Sequence, residues 1–226
     1  MIQGPDNPVW EALTTVQEHF NSGTNDVRYF PPEVGPFIGM RSWDDEGLKA
    51  LDSHMPEGRS FSVMIARQIQ LPPSMNIVLS LPLYQMVSTE FISQDDNNLH
   101  PRLLAKDDIA QMLALTAATR PGPFLTRTIE FGNYLGLFQG ETLIAMAGER
   151  LKTPGFTEVS AICTDPVHLG KGYASLLTAK VCEKIHEEGK TPFLHVRQDN
   201  TRAIEVYKKL GFQVRAEVYF AIFKKG

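Results

Sequence analysis

Apolar residues recur along the second half of this chain with two alternating periods, one suited to strands and one to helices. Tyr134 to Phe138 and Leu143 to Leu151 are apolar-rich runs joined by Gln139-Gly140-Glu141, which predicts two strands around a glycine turn. After Pro154-Gly155, the run Glu158 to Thr164 predicts a third. The spacing then becomes helical, with Ala174, Leu177, Val181 and Ile185 on one stripe, so a helix is expected from Tyr173 to about Glu188, stopped at Gly189. Pro192 to Val196 returns to strand. Asn200 can cap a helix through Leu210, with Gly211 as its stop, and Val214 to Phe223 predicts a long closing strand with room for a bend.

The first half is more broken. Asn7-Pro8, followed by Val9, Trp10, Leu13, Val16, Gln17 and Phe20, has helical spacing, with Asn7 expected as N-cap and Pro8 at the first helical position. Pro31-Pro32 and Pro72-Pro73 cut the next stretch into short pieces, among which Phe61 to Ile65, Ile77 to Leu81 and Tyr84 to Phe91 predict strands. Ser93 to Asn98 is a polar linker or loop. Asp107 or Asp108 can then cap a helix carrying Ile109, Met112, Leu113, Leu115 and Thr116, ended by Arg120-Pro121-Gly122-Pro123. From that point the order is helix, three-strand meander, helix, strand, helix, strand. This predicts an α+β fold on a mixed sheet, antiparallel at first, with one parallel strand–helix–strand step.

Composition narrows the function classes. The 226 residues are 42% hydrophobic and 21% charged, ordinary for a globular chain with a substantial core. A net charge of −4 argues against nucleic acid as partner. No apolar run is long enough to span a bilayer, and the first residues lack the basic-then-apolar pattern of a signal peptide, so no membrane partner and a cytoplasmic location are expected. Cys163 and Cys182 lack metal-ligand spacing and fall on apolar faces, reading as core thiols in a reducing compartment; no metal is expected.

Candidate chemistry concentrates between the third strand and the helix at Tyr173. Asp165-Pro166-Val167-His168-Leu169-Gly170-Lys171-Gly172-Tyr173-Ala174 is a glycine-rich corner leading into a helix N-terminus. Two residues without Cβ let the backbone approach a ligand, and the free N–H groups and positive dipole end favour an anion such as phosphate or pyrophosphate. The corner lacks the Gly-Lys-Ser/Thr ending of a nucleotide P-loop, so no hydroxyl is placed for magnesium.

Three pieces together, Val159 to Ala174, Phe193-Leu194-His195-Val196 and Asn200-Thr201-Arg202-Ala203-Ile204-Glu205-Val206-Tyr207-Lys208-Lys209-Leu210-Gly211-Phe212, resemble the acyl-CoA-binding half of the GNAT superfamily of N-acyltransferases. Arg120 to Phe124, Ala145 to Leu151 and Phe193 to Val196 look like a bacterial subgroup of it. The resemblance covers roughly residues 100–226. It implies a twisted mixed sheet with helices on both faces and splayed central strands in an acetyltransferase domain over 91–226. Residues 1–90 are expected to form a smaller N-terminal α/β segment of unassigned role, covering the acceptor site, forming a partial second domain or holding a homodimer interface.

The resemblance also implies site residues. Ile162, Cys163 and Thr164 would pair with the pantetheine arm of acetyl-CoA, and Leu169, Gly170, Lys171, Gly172, Tyr173 and Ala174 would wrap its pyrophosphate. The family's usual Gln or Arg before the first glycine is here Leu169, which leaves the backbone as the cradle with Lys171 adding charge. Asn200 and Ala203 would contact the cofactor arm, and Tyr207 would sit near the thioester sulfur and protonate the leaving thiolate. The implied reaction is direct transfer of an acetyl group from acetyl-CoA, with no metal, to a primary amine of a small molecule or peptide. A CoA-binding sensor and a transferase of longer acyl groups are the alternatives. The incoming amine must lose a proton, and Glu149 and Glu158, on strands beside the expected cleft, are candidate bases. His195 reads as a satisfied core histidine, with a proton shuttle as the alternative, and His168 as a solvated loop residue, with phosphate contact as the alternative; Arg120 and Arg127 flank the segment that would wall the acceptor pocket, where an anionic substrate group is one partner to consider.

Overall fold

The computed structural model contains helix α1 (Pro8–Thr14), strands β1 (Val27–Tyr29) and β2 (Ile38–Met40), helix α2 (Asp45–His54), strands β3 (Ser60–Ile65), β4 (Met75–Ser88) and β5 (Arg102–Leu103), and helix α3 (Ile109–Thr119). Strands β6 (Tyr134–Gln139), β7 (Thr142–Lys152) and β8 (Phe156–Thr164) follow, then α4 (Tyr173–Glu187), β9 (Thr191–Arg197), α5 (Thr201–Lys209) and β10 (Phe212–Lys225). The structure describes residues 2–66, 68, 70–88, 90, 92–94 and 99–226.

Eight strands form one mixed sheet in the order β3-β10-β4-β9-β8-β7-β6-β5, while β1 and β2 form a separate antiparallel pair. The α+β class, the antiparallel meander and the single parallel step between β8 and β9 agree with the sequence pattern. Alternation along β7 separates the two faces. Ala145 and Ala147 pack with the stripe of α4 and with Ile204, Tyr207 and Leu210 near α5, whereas Met146 packs with Met112 and Leu115 of α3. Leu151 packs farther along, with Val9, Ala12 and Leu13 of α1. No helix among the described residues is long and apolar enough to cross a membrane.

Two expectations in the first half need correction. Asn7 precedes α1 but makes no capping bond; its Nδ2 instead donates to the Met40 carbonyl at 2.7 Å, pinning α1 to β2. The runs Ile77–Leu81 and Tyr84–Phe91 belong to one strand, β4, as far as Ser88, passing through Pro82. Phe91 and Asp95–Asn98 lie outside the described residues. Proline is tolerated inside β4 because β9 pairs with it only from Leu83 to Val87. At Pro82 only the carbonyl is needed on that side, and it accepts from the Gln198 N–H at 3.3 Å.

The part of the chain before residue 90 is woven into this sheet. Strand β4 lies between β9 and β10, and β3 closes the far edge. Gln17, just after α1, is 2% exposed and spans a break in β7 register between Glu149 and Lys152. Its Nε2 donates to the Arg150 carbonyl at 2.9 Å, and its Oε1 accepts from the Lys152 N–H at 3.2 Å. Backbone groups that the irregular strand leaves without a neighbour are thereby satisfied.

Candidate active site

The sheet splits at its parallel step. Strand β8 pairs with β9 only at Phe156, Thr157 and Glu158, opposite Thr191, Pro192 and Phe193. Beyond that point β8 stays with β7, while β9 runs on with β4. Among the described residues the β9-facing edge of β8 from Ser160 to Thr164 therefore has no strand partner, and a cleft opens there.

A bulge then re-aims β8 inside the cleft. Met146 pairs with Cys163 and Gly148 with Ser160, so Ala161 and Ile162 together stand opposite Ala147. Ala161 takes the left-handed conformation at φ 52°, a place usually left to glycine. The extra residue shifts the alternation. Val159 and Ile162, three apart, both face the α4 side, and Ala161 and Cys163 both pack under α3. Nothing in Val159-Ser160-Ala161-Ile162 marks this bulge in the sequence.

The glycine-rich corner closes one end of the cleft. Asp165 Oδ1 accepts from the Val167 N–H at 2.9 Å, Pro166 fixes the first residue of a short 3-10 turn, and the Asp165 N–H is tied to the Ile144 carbonyl at 2.8 Å. Gly170 and Gly172 have φ values of 81° and 80°, and a Cβ on either would meet no protein atom within 4 Å, so both present open backbone. Leu176 is the first residue of α4 whose N–H reaches a carbonyl of the same turn, that of Gly172 at 3.0 Å. The N–H groups of Tyr173, Ala174 and Ser175 come before it and are free for an anion. His168 Nε2 lies 2.7 Å from Gln139 Oε1, bracing the corner on the β6–β7 turn.

Helix α5 forms the opposite wall. Asn200 Oδ1 accepts from the Ala203 N–H at 3.2 Å, capping the helix as the sequence predicts and leaving its amide nitrogen for other contacts. Arg202, Ala203, Val206 and Tyr207 follow on one face. The resulting cleft has a volume of about 430 Å³. It brings together Ile162, Cys163, Thr164, Leu169, Gly170, Lys171, Gly172, Tyr173, Ala174, Asn200, Ala203 and Tyr207, along with His168, Ser175, Arg202 and Val206. Nothing in the sequence reading singles out Ser175, Arg202 or Val206 as ligand contacts. Arg202 and Val206 could have been found, because they share the helical face of Ala203 and Tyr207.

Two observations say that the cleft suits a long polar guest with an anionic end. Thr164 Oγ1, on a residue lining it, is buried without a hydrogen-bond partner among the described residues. The cationic side chains of Lys171 and Arg202 also line it, and among the described residues neither has a carboxylate within ion-pair distance.

The titratable groups have distinct environments. Tyr207 is 9% exposed, and burial raises its phenol well above the ordinary value, so Oη keeps its proton. Cys163 and Cys182 are both free thiols, pushed up by burial to about 11 and about 12, which leaves neither as a nucleophile at neutral pH.

Glu149 and Glu158 do not line the cleft. Both are fully buried. Glu149 is held by Lys152 Nζ at 2.6 Å and by the Asn133 backbone N–H and side-chain Nδ2 at 3.0 and 3.1 Å. Glu158 sits where β8 and β9 part, gripped by Arg150 through Nε at 2.8 Å and a terminal nitrogen at 2.6 Å. His195 Nδ1 lies 2.7 Å from the same carboxylate. Burial alone would raise the Glu158 carboxyl; the charge and hydrogen bonds of Arg150, joined by His195, outweigh it and bring it down to about 2. The bulges in β7 and β8 are why simple alternation does not aim these two side chains at the cleft.

His195 is a satisfied core histidine, as its apolar neighbours suggest. Its Nε2 lies 3.4 Å from Gln85 Nε2, a donor fixed in orientation by the Pro5 carbonyl at 3.0 Å and by Arg215 on Oε1 at 3.2 Å. The tautomer with its proton on Nδ1 serves both Glu158 and Gln85.

Comparison with known proteins agrees with this architecture. A family model described as FR47-like protein matches residues 134–221. The N-alpha-acetyltransferase RimI of Mycobacterium tuberculosis is 37% identical over 84 residues, which are 36% of this chain and 52% of that protein; the match spans about half the relative's length. The solved structure of a GCN5-related N-acetyltransferase from Kribbella flavida covers 100% of this chain and 97% of its own at a TM-score of 0.67 and 15% identity, a likeness of fold. A putative acetyltransferase from the GNAT family of Novosphingobium aromaticivorans superposes with a TM-score of 0.89, at 31% identity, over 98% of both chains. Similarity of sequence and fold over nearly the whole length establishes that this chain belongs to the GNAT family of acetyltransferases.

Proposed function

We propose that the chain transfers an acetyl group from acetyl-CoA to a primary amine by direct attack. The observation that carries this reading is the junction of the split between β8 and β9 with an anion cradle at Gly170–Ser175. One end of the cleft offers backbone N–H groups with Lys171 and Arg202 for phosphates. The middle offers the open edge of β8 and the unpaired Thr164 hydroxyl for an amide-bearing arm. The bulge at Ala161 lies where the arm would end. The acyl donor supplies a thioester carbonyl there.

The residues divide the remaining work. A backbone N–H of β8 near the bulge polarises the carbonyl. Tyr207 Oη, kept protonated by burial, donates a hydrogen bond to the departing sulfur and passes its proton there as the bond breaks. In balance, one C–N bond forms, one C–S bond breaks, and the proton lost by the amine replaces the one taken up by sulfur. No carboxylate lines the cleft among the described residues, so water takes the amine proton and returns one to Tyr207 Oη. Free buried thiols fit a reducing, cytoplasmic setting.

The test has two parts. Acetyl-CoA at about 100 times its dissociation constant should stabilise the fold by about 2.7 kcal/mol. Thiol release from acetyl-CoA in the presence of a panel of primary amines should exceed that without amine. Stabilisation without amine-dependent release would make the chain a CoA-binding sensor, and the absence of both would remove the assignment.

A further inference from the structure

A second hollow, of about 480 Å³, lies at the end of α3 and is lined by Leu113, Thr116, Ala117, Arg120, Gly122 and Phe124. It runs along the flank of α3. The neighbouring face of the same helix covers the bulge, with Met112 and Leu115 in one cluster with Ala161 and Cys163, and Thr119 beside the Cys163 thiol. A hollow on the flank of the helix that covers the bulge, separate from the wall lined by α5, is where an acceptor can approach.

Its lining is apolar except for one hydroxyl and one cation. Among the described residues Arg120 has no carboxylate within ion-pair distance, whereas Arg127, seven residues on, is clasped by Glu130 with two bonds of 2.7 Å. Arg120 is also held in the left-handed conformation, at φ 51°, as the residue that ends α3. Helix ends of this kind normally use glycine or asparagine, because a Cβ is strained there. An arginine with no carboxylate partner among the described residues, kept at a strained position in a mostly apolar hollow, suits the fork geometry that binds a carboxylate.

We propose that Arg120 binds the carboxylate of the acceptor, so that the preferred substrates are amino carboxylic acids with an apolar body. This rests on the acetyltransferase reading above. Leu113, Ala117 and Phe124 would cover the apolar part, and the amine would then point toward the bulge at Ala161.

The experiment compares kcat/KM for α-amino acids with apolar side chains against their own carboxamides, with rates referred to the neutral amine. The wild type should favour the acids by about tenfold or more. Arg120→Gln should bring the two within about twofold while leaving acetyl-CoA affinity unchanged. Arg120→Gly should lose the preference equally, with a Tm at or above that of the wild type, since glycine accepts the backbone conformation. Equal rates on acid and amide in the wild type, or a preference that survives both substitutions, would overturn the proposal while the transferase reading stands. Turnover of no amine, with acetyl-CoA still stabilising the fold, would remove both.

Discussion

Arg150 on β7 grips Glu158 on β8 with two charge-assisted hydrogen bonds, of 2.8 and 2.6 Å, at the point where the sheet divides. The guanidinium also lies 4.8 Å from the ring centre of Phe37, so a residue from the first part of the chain covers it. Below this pair β8 and β9 are hydrogen-bonded; above it they are not. The ion pair thus sits at the apex of the cleft, joining three adjacent strands through Arg150, Glu158 and His195.

Removing one partner should be costly. Arg150→Met leaves a buried carboxylate without its cation and should lower stability by about 3–5 kcal/mol in denaturant unfolding. The double variant Arg150→Met/Glu158→Leu should recover most of that loss, because it leaves no buried charge behind. A double variant as unstable as the single one would show that the pair specifies the geometry of the apex beyond its own charge balance.

The same carboxylate makes stability depend on pH. Its folded value is about 2, below the ordinary 4.5, so the unfolded chain takes up the proton first as pH falls. The contribution is therefore complete above the ordinary carboxylate range and is lost progressively as pH drops from about 4.5 through about 2. The amount is on the order of 3 kcal/mol. Glu158→Gln should flatten this part of the stability-versus-pH curve, read by urea unfolding at successive pH values.

Gln17 offers a test of how firmly the first part of the chain is joined to the site. Gln17→Leu removes both amide bonds and leaves the Arg150 carbonyl and the Lys152 N–H unsatisfied. A loss of about 1–3 kcal/mol is expected. Amide exchange should quicken at Lys152 more than on β6, since the affected backbone is the irregular stretch of β7.

That the glycine corner, Asn200 and Tyr207 meet at one cleft was readable from sequence because local rules govern their positions. A glycine at positive φ, a capping asparagine and a helical face depend on neighbours a few residues away, and Gly172, Asn200 and Tyr207 meet all three conditions. The placement of Glu149 and Glu158 away from the cleft was not readable, because the direction of a strand side chain depends on the bulges along its strand, and Ala161 gives no sign of its positive φ. The sequence pattern divides strand β4 into two pieces for a related reason. Pro82 is permitted only by where β9 ends, which is a fact of topology.

Gly172→Ala separates backbone strain from ligand contact. At φ 80° the new Cβ is strained although no protein atom lies within 4 Å of it. Gly189→Ala is the control: φ is 71°, its surroundings are equally open, and it lies at the other end of α4, outside the cleft. Both variants should lose about 1 kcal/mol of stability. Acetyl-CoA affinity, measured by calorimetry, should fall at least tenfold in the first and stay unchanged in the second. Equal affinities would remove the cradle.

The pH dependence of turnover distinguishes a carboxylate base from solvent. Glu158 is ionised throughout the working range but is tied to Arg150 and His195, and Glu149 is tied to Lys152 and Asn133. If neither takes the amine proton, kcat/KM should rise with pH in step with the neutral fraction of the acceptor, with no inflection in the range of about 4–7 where a catalytic carboxylate would titrate. The alkaline side should show no fall from Tyr207 below pH about 10, because burial raises its phenol above that value. Tyr207→Phe should lower kcat by about 10²–10⁴ with the same pH profile. An acidic inflection that disappears in Glu149→Gln would restore that residue as the base, and a Tyr207→Phe variant with unchanged kcat would make the tyrosine a packing residue.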